Sequence, residues 1–164
     1  MKTTKKVVKN LVTESRVATF DGRYLTAKEL LNETKKRIKE SPEDYCQETF
    51  CGQAVCLGGH MDNIINGPRS IKTDLRIDQD SMQEFLLRGM GVNPYDLENA
   101  LDGFWLFQAN FEGKFEQDYD NAKTSKAKAK VGIAAINYFM ENPGQPAPED
   151  ESEPEEDYND GYGY

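Results

Sequence analysis

The chain has 164 residues, of which 37% are hydrophobic and 30% charged, with a formal net charge of −9. That is the size of one domain, polar in composition but able to build a core. Eight acidic residues and no basic ones lie from Glu149 onward, so the rest of the chain carries only −1, which excludes a strongly basic nucleic-acid-binding body.

No stretch approaches the roughly 18 apolar residues of a membrane span, so no membrane association is expected. The basic opening, MKTTKKVVKNLVTESR, has no apolar segment of signal-peptide length. Three cysteines in a chain of this size point to free or metal-bound thiols in a reducing cytoplasm.

In chain order, Val7, Val8, Leu11 and Val12 recur at helical spacing, predicting a short helix over residues 3–15. Asp21-Gly22 between β-favouring residues predicts a minimal hairpin over 17–25. Thr26 with Glu29 forms a capping-box pattern, opening a helix from Ala27 to Glu40. Its inner stripe is Leu30, Leu31, Thr34 and Ile38, and Pro42 stops it.

A third helix is expected from about Gly52 to Asn66, ended by Gly67-Pro68. Residues 68–79 read as loop. Ser81 with Glu84 suggests another capping box, the helix breaking at Gly89-Met90-Gly91. Asn93-Pro94 reads as the start of a short helix that Gly103 ends.

The run Phe104-Trp105-Leu106-Phe107, with Phe111 and Phe115, reads as core rather than as a stacking platform. A last helix is expected from Asn121 to Glu141, with Val131, Ala134, Ala135, Tyr138 and Phe139 inward. The reading is therefore mainly α: a compact multi-helix domain over 1–142, followed by a disordered acidic tail over 143–164.

Chemistry is densest from Cys51 to His60. Cys46, Cys51, Cys56 and His60 supply ligand types suited to tetrahedral Zn²⁺. Their spacing, C-x4-C-x4-C-x3-H, lacks the close C-x2-C pair. On one continuous helix Cys51 and Cys56 would point about 140° apart. The alternative is that Cys51, Gly52, Cys56, Gly58 and Gly59 form a structural motif, with glycines admitting a neighbouring helix. Cys51 at a helix N-terminus would also suit thiol chemistry.

Lys123, Lys126, Lys128 and Lys130 make a basic face at the start of the last helix. Phosphate contact is conceivable there, but a solvated face is the plainer reading of so short a charge run. The acidic tail, tipped by Tyr158, Tyr162 and Tyr164, reads either as a partner-recruiting extension or as a solubilising one.

One resemblance emerges from the central stretch. Cys51-Gly52-Gln53-Ala54-Val55-Cys56-Leu57-Gly58-Gly59 follows a Ser41-Pro42-Glu43-Asp44-Tyr45 turn and precedes Met90-Gly91-Val92 and Leu106-Phe107. This pattern resembles a family of uncharacterised small proteins of bacteria and their phages, which carry Cys-Gly-Thr-x-x-Cys-x-Ala-Gly. Gln53 stands in place of the Thr and Gly58 in place of the Ala. The resemblance covers roughly residues 27–140. It implies a mainly helical domain and assigns no catalytic residue.

The expectation is a cytoplasmic, non-enzymatic interaction or accessory protein, phage-encoded and host-directed, with a protein partner and no cofactor. The alternative is a small zinc- or thiol-dependent regulator or enzyme using Cys51, Cys56 and His60.

Overall fold

The structure, a computed structural model, describes residues 15–48, 54–68 and 76–150. The helix expected over 3–15, most of the acidic tail and the loop residues 69–75 lie outside the described residues. Two short strands, β1 (Arg16–Ala18) and β2 (Tyr24–Thr26), precede six helices. These are α1 (Ala27–Glu40), α2 (Leu57–Asn66), α3 (Gln79–Gly89), α4 (Leu97–Asp102), α5 (Gly113–Asn121) and α6 (Ser125–Glu141). The protein is mainly helical with one small antiparallel hairpin, as its sequence indicates.

The hairpin pairs Arg16 with Thr26, Val17 with Leu25 and Ala18 with Tyr24. Gly22 supplies the left-handed turn position, with φ of 86°. Thr26 ends β2 and caps α1. Its hydroxyl accepts from Glu29 N at 3.2 Å, while Glu29 Oε2 accepts from Thr26 N at 2.9 Å. The predicted stripe Leu30, Leu31, Thr34 and Ile38 is fully buried. Pro42 opens a 3-10 turn, Pro42–Asp44, that ends the helical run.

α1 and α6 form the central pair, with α2, α3 and the 3-10 turn around α1 and α5 against α6. The buried face of α6 is Ala129, Gly132, Ala135, Ile136 and Phe139. This differs from the expected stripe: Ala134 is exposed, and Val131 and Tyr138 are half-buried. Gly132 turns the helix, because Tyr45 packs its ring where a Cβ on residue 132 would stand. A second close approach brings Gly89 at the end of α3 against Ala27 at the start of α1.

The starts of α3, α4 and α6 are shifted from their sequence expectation. α3 begins at Gln79, because Asp78 rather than Ser81 is the cap and accepts from Asp80 N at 3.1 Å. α4 begins at Leu97: Asn93 closes a local turn instead, its Oδ1 accepting from Tyr95 N. The helix expected to start at Asn121 starts at Ser125, and α5, over Gly113–Asn121, is a helix that the sequence reading did not expect. α5 ends at Asn121, and Thr124 caps α6 by accepting from Ala127 N at 3.1 Å.

The aromatic run builds the second half of the core. Trp105 stacks on Phe115 with centroids 5.5 Å apart, and Phe111 and Tyr138 close around them. Trp105 is 2% exposed, so it is core as expected. The chain stays on this core beyond Asn142: Trp105 Nε1 donates to Gln145 O at 3.1 Å, and Lys114 N to Pro148 O at 2.9 Å. No helix among the described residues is long and apolar enough to cross a membrane.

Candidate functional site

The central stretch starts as a bridge, where a helix from Gly52 was expected. Val55 N donates to Asp44 O at 2.9 Å and Cys46 N to Val55 O at 3.1 Å, pairing Tyr45 with Val55 in parallel. This extended pairing holds the backbone at Val55 out of helical geometry, so α2 opens only at Leu57. Cys51 and Gly52 lie outside the described residues. Gly58 and Gly59 are buried in the first turn of α2.

Gln47 is the joint of this region and is 1% exposed. Its Oε1 accepts from Leu57 N at 3.2 Å and from the Tyr45 hydroxyl at 3.3 Å. Its Nε2 donates to Gln108 O at 2.9 Å and Leu106 O at 3.3 Å. Its backbone N–H donates to the Tyr119 hydroxyl, and its carbonyl accepts from Asn110 N, both at 2.9 Å. Cys56, the N-cap of α2, makes no side-chain cap, so Gln47 satisfies an otherwise orphaned first-turn donor.

The loop that Gln47 holds carries two consecutive left-handed residues, Asn110 (φ 57°) and Phe111 (φ 63°). Such a conformation is costly for a bulky side chain. Burial of the Phe111 ring among Trp105, Phe115 and Tyr119 offsets that cost. Tyr45 and Tyr119 meet edge to face at 6.4 Å beside Gln47. Burial holds the Tyr45 hydroxyl well above its ordinary pKa, and burial raises that of Tyr119 as well.

The proposed ligand residues have other occupations. Cys46 is disulfide-bonded, which corrects the expectation of free or metal-bound thiols at that position, while Cys56 is a free thiol. The Tyr119 hydroxyl lies 3.7 Å from Cys46 Sγ. His60 is 5% exposed and donates from Nε2 to Asp44 O at 3.1 Å. Burial lowers its pKa to about 4, leaving it neutral at pH 7. Among the described residues no group of three or more His, Cys, Asp or Glu is arranged to hold a metal ion.

The four lysines do not form one face. Lys123 precedes α6 and donates to Asp120 O, at the end of α5. Lys128 turns inward to Glu48, 2.5 Å away, and sits 5.1 Å from the centroid of the Tyr119 ring. The hydrogen bond that Lys128 donates to Glu48 raises its pKa. Lys126 and Lys130, four residues apart, share the exposed side of the helix.

The surface offers something that sequence patterning left unmarked. Phe20 is 69% exposed, Tyr24 55% and Tyr95 92%, the exposed large hydrophobics among the described residues. Phe20 stands at the hairpin tip, its ring against Gly67. The turn beneath it is fixed. Thr19 Oγ1 donates to Asp21 Oδ1 and accepts from Arg23 N, and Arg23 spans Asp21 at 2.9 Å and Glu33 at 3.2 Å. Phe20 N donates to Ile64 O at 3.1 Å, tying the tip to α2. The available signal was Phe20 placed directly before the Asp21-Gly22 turn, where no core-facing position exists.

Compared with known proteins, the chain matches no family model, no curated protein and no solved structure.

Proposed function

We propose that this chain is a non-enzymatic interaction protein whose contact surface is the β1–β2 hairpin, with a protein as partner. The observation that supports this reading is Phe20, 69% exposed on a turn pinned by Thr19, Asp21 and Arg23. Exposed aromatics contribute most to binding when their backbone is already in place, because little ordering entropy is then lost. Tyr24, 55% exposed at the start of β2, extends the apolar surface. By contrast, several groups that suit catalysis or metal are engaged within the fold: His60 with Asp44, the Gln47 side chain with three backbone partners, and Cys46 in its disulfide.

On the resemblance to bacterial and phage proteins, the chain would be an accessory, host-directed protein of the cytoplasm, a compartment in which its Cys46 disulfide would be an exception. The test is quantitative capture from bacterial lysate by wild type and by Phe20→Ser and Tyr24→Ser variants with unchanged melting. The expected result is a discrete protein held by wild type and lost with Phe20→Ser. Capture that neither variant affects would remove the hairpin from the reading. Thiol labelling of protein taken directly from cells tests the compartment. Cys46 reactive in that protein supports the cytoplasm, and Cys46 protected opposes it.

A further inference from the structure

Residues 143–150 form a strap across the aromatic half of the core. Its sequence, Pro143-Gly144-Gln145-Pro146-Ala147-Pro148-Glu149-Asp150, fixes its shape. Proline sets its own φ near −65° and pushes the preceding residue into extended geometry. Gln145 through Pro148 are thus disposed to a polyproline-type run, which repeats every three residues. The body contacts that repeat. Trp105 Nε1 donates to the carbonyl of Gln145 at 3.1 Å, and Lys114 N to that of Pro148, three residues on, at 2.9 Å.

The receiving surface is shaped for this contact. Gly113 has φ of 58°, and a Cβ there would collide with the Pro148 carbonyl. Gly144 sits against Val92 and Ala100, and Ala147 packs on the core. Glu112, the N-cap of α5, makes no side-chain cap, so the Pro148 carbonyl supplies that missing acceptor. Aromatic surfaces are the elements with which proline-rich peptides are read, and here the Trp105 indole N–H and the first-turn Lys114 N–H add two donors spaced for one turn of an extended proline-rich chain.

We propose that the groove between Trp105 and the start of α5 is a binding site for extended proline-rich segments of the x-Pro-x-Pro type, which the chain's own strap occupies in cis. A protein partner bearing such a segment displaces the strap and takes its two hydrogen bonds. The strap is joined directly to α6, so it competes at an effective concentration of roughly millimolar. The groove is independent of the hairpin, and Phe20→Ser leaves it unchanged.

The probe is a synthetic peptide with the sequence of residues 142–150, added to the full chain carrying Pro146→Gly and Pro148→Gly, which loosens the strap. Trp105 is the single tryptophan, so its fluorescence reports this groove alone. The expected result is a saturable fluorescence change with a shift of the Lys114 amide. Affinity should be at least about tenfold weaker for a peptide with both prolines replaced by glycine. If the loosened chain does not fold, the wild-type chain serves. There, peptide at about ten times the tether's effective concentration shifts the Lys114 amide and the strap resonances together. No saturable change, or equal binding of the glycine peptide, overturns the proposal.

Discussion

The side-chain oxygen of Gln47 accepts the first helical N–H of α2, that of Leu57, at 3.2 Å. The same amide reaches Leu106 O and Gln108 O on the other side. One buried side chain thus joins the segment before the cysteine-rich stretch, the helix after it and the aromatic loop. Gln47→Ala strands donors and acceptors that water cannot reach, at about 1–3 kcal/mol per group. The expected loss is roughly 3–5 kcal/mol in denaturant melts. Gln47→Glu keeps the acceptor for Leu57 but sets a carboxylate against two carbonyls, so it should recover stability as pH falls. A loss below about 1 kcal/mol for Gln47→Ala would contradict this role.

His60 makes stability pH-dependent in a defined window. Its folded pKa is about 4, below the ordinary 6.5, because burial penalises the charged form. Between those values the unfolded chain binds the proton and the folded chain does not. Stability from this group is therefore complete above pH 6.5 and falls as pH drops toward 4, at about 1.4 kcal/mol per unit. His60→Gln should flatten that slope in melts from pH 7 to 4, whatever it costs at pH 7. An unchanged slope would show that His60 accepts its proton while folded.

Gly132 of α6 lies directly against the Tyr45 ring, which stands where a Cβ would be. A glycine within a helix ordinarily gains about 1 kcal/mol when changed to alanine. Here Gly132→Ala should instead destabilise by about 1–3 kcal/mol, since the methyl meets the Tyr45 ring. In a Tyr45→Ala background the same change should become neutral or stabilising. Equal effects in both backgrounds would show that the two residues are not coupled.

A full capping box was legible to the residue, a lone cap such as Asp78 or Thr124 was misplaced by a few residues, and a helix capped from a distance carried no local signal. Thr26 and Glu29 fixed the start of α1 to the residue. α2 and α5 have no side-chain cap of their own and depend on Gln47 and on Pro148. The sequence expectation starts the first five residues too early and holds no helix over the second. Thr124 is a local cap, accepting from Ala127 N, that the expected start at Asn121 overlooks. The close-approach glycines followed the same division. Gly58 and Gly59 drew attention by adjacency, whereas Gly89 and Gly132 matter through Ala27 and Tyr45, which are distant in sequence.

The lysines and the acidic residues 151–164 can be tested for mutual contact. That segment holds six acidic residues and no basic ones. Attraction between exposed charges is screened beyond about 8–10 Å at physiological salt. A chain ending at Asp150 should therefore show amide shifts at Lys126 and Lys130 relative to the full chain at low salt only. Lys128, already paired with Glu48, should move least. Identical shifts at low salt would leave the acidic segment acting independently of α6.

Whether the stretch from Cys46 to His60 is architecture or chemistry is decided by the metal content of protein purified without chelator, read together with its thermal melt. We expect zinc well below one equivalent and a Tm that EDTA does not move, because Cys46 is disulfide-bonded and His60 is bound to Asp44. Stoichiometric zinc whose removal unfolds the chain, with the same loss in Cys56→Ser, would contradict the structural role and restore a metal centre.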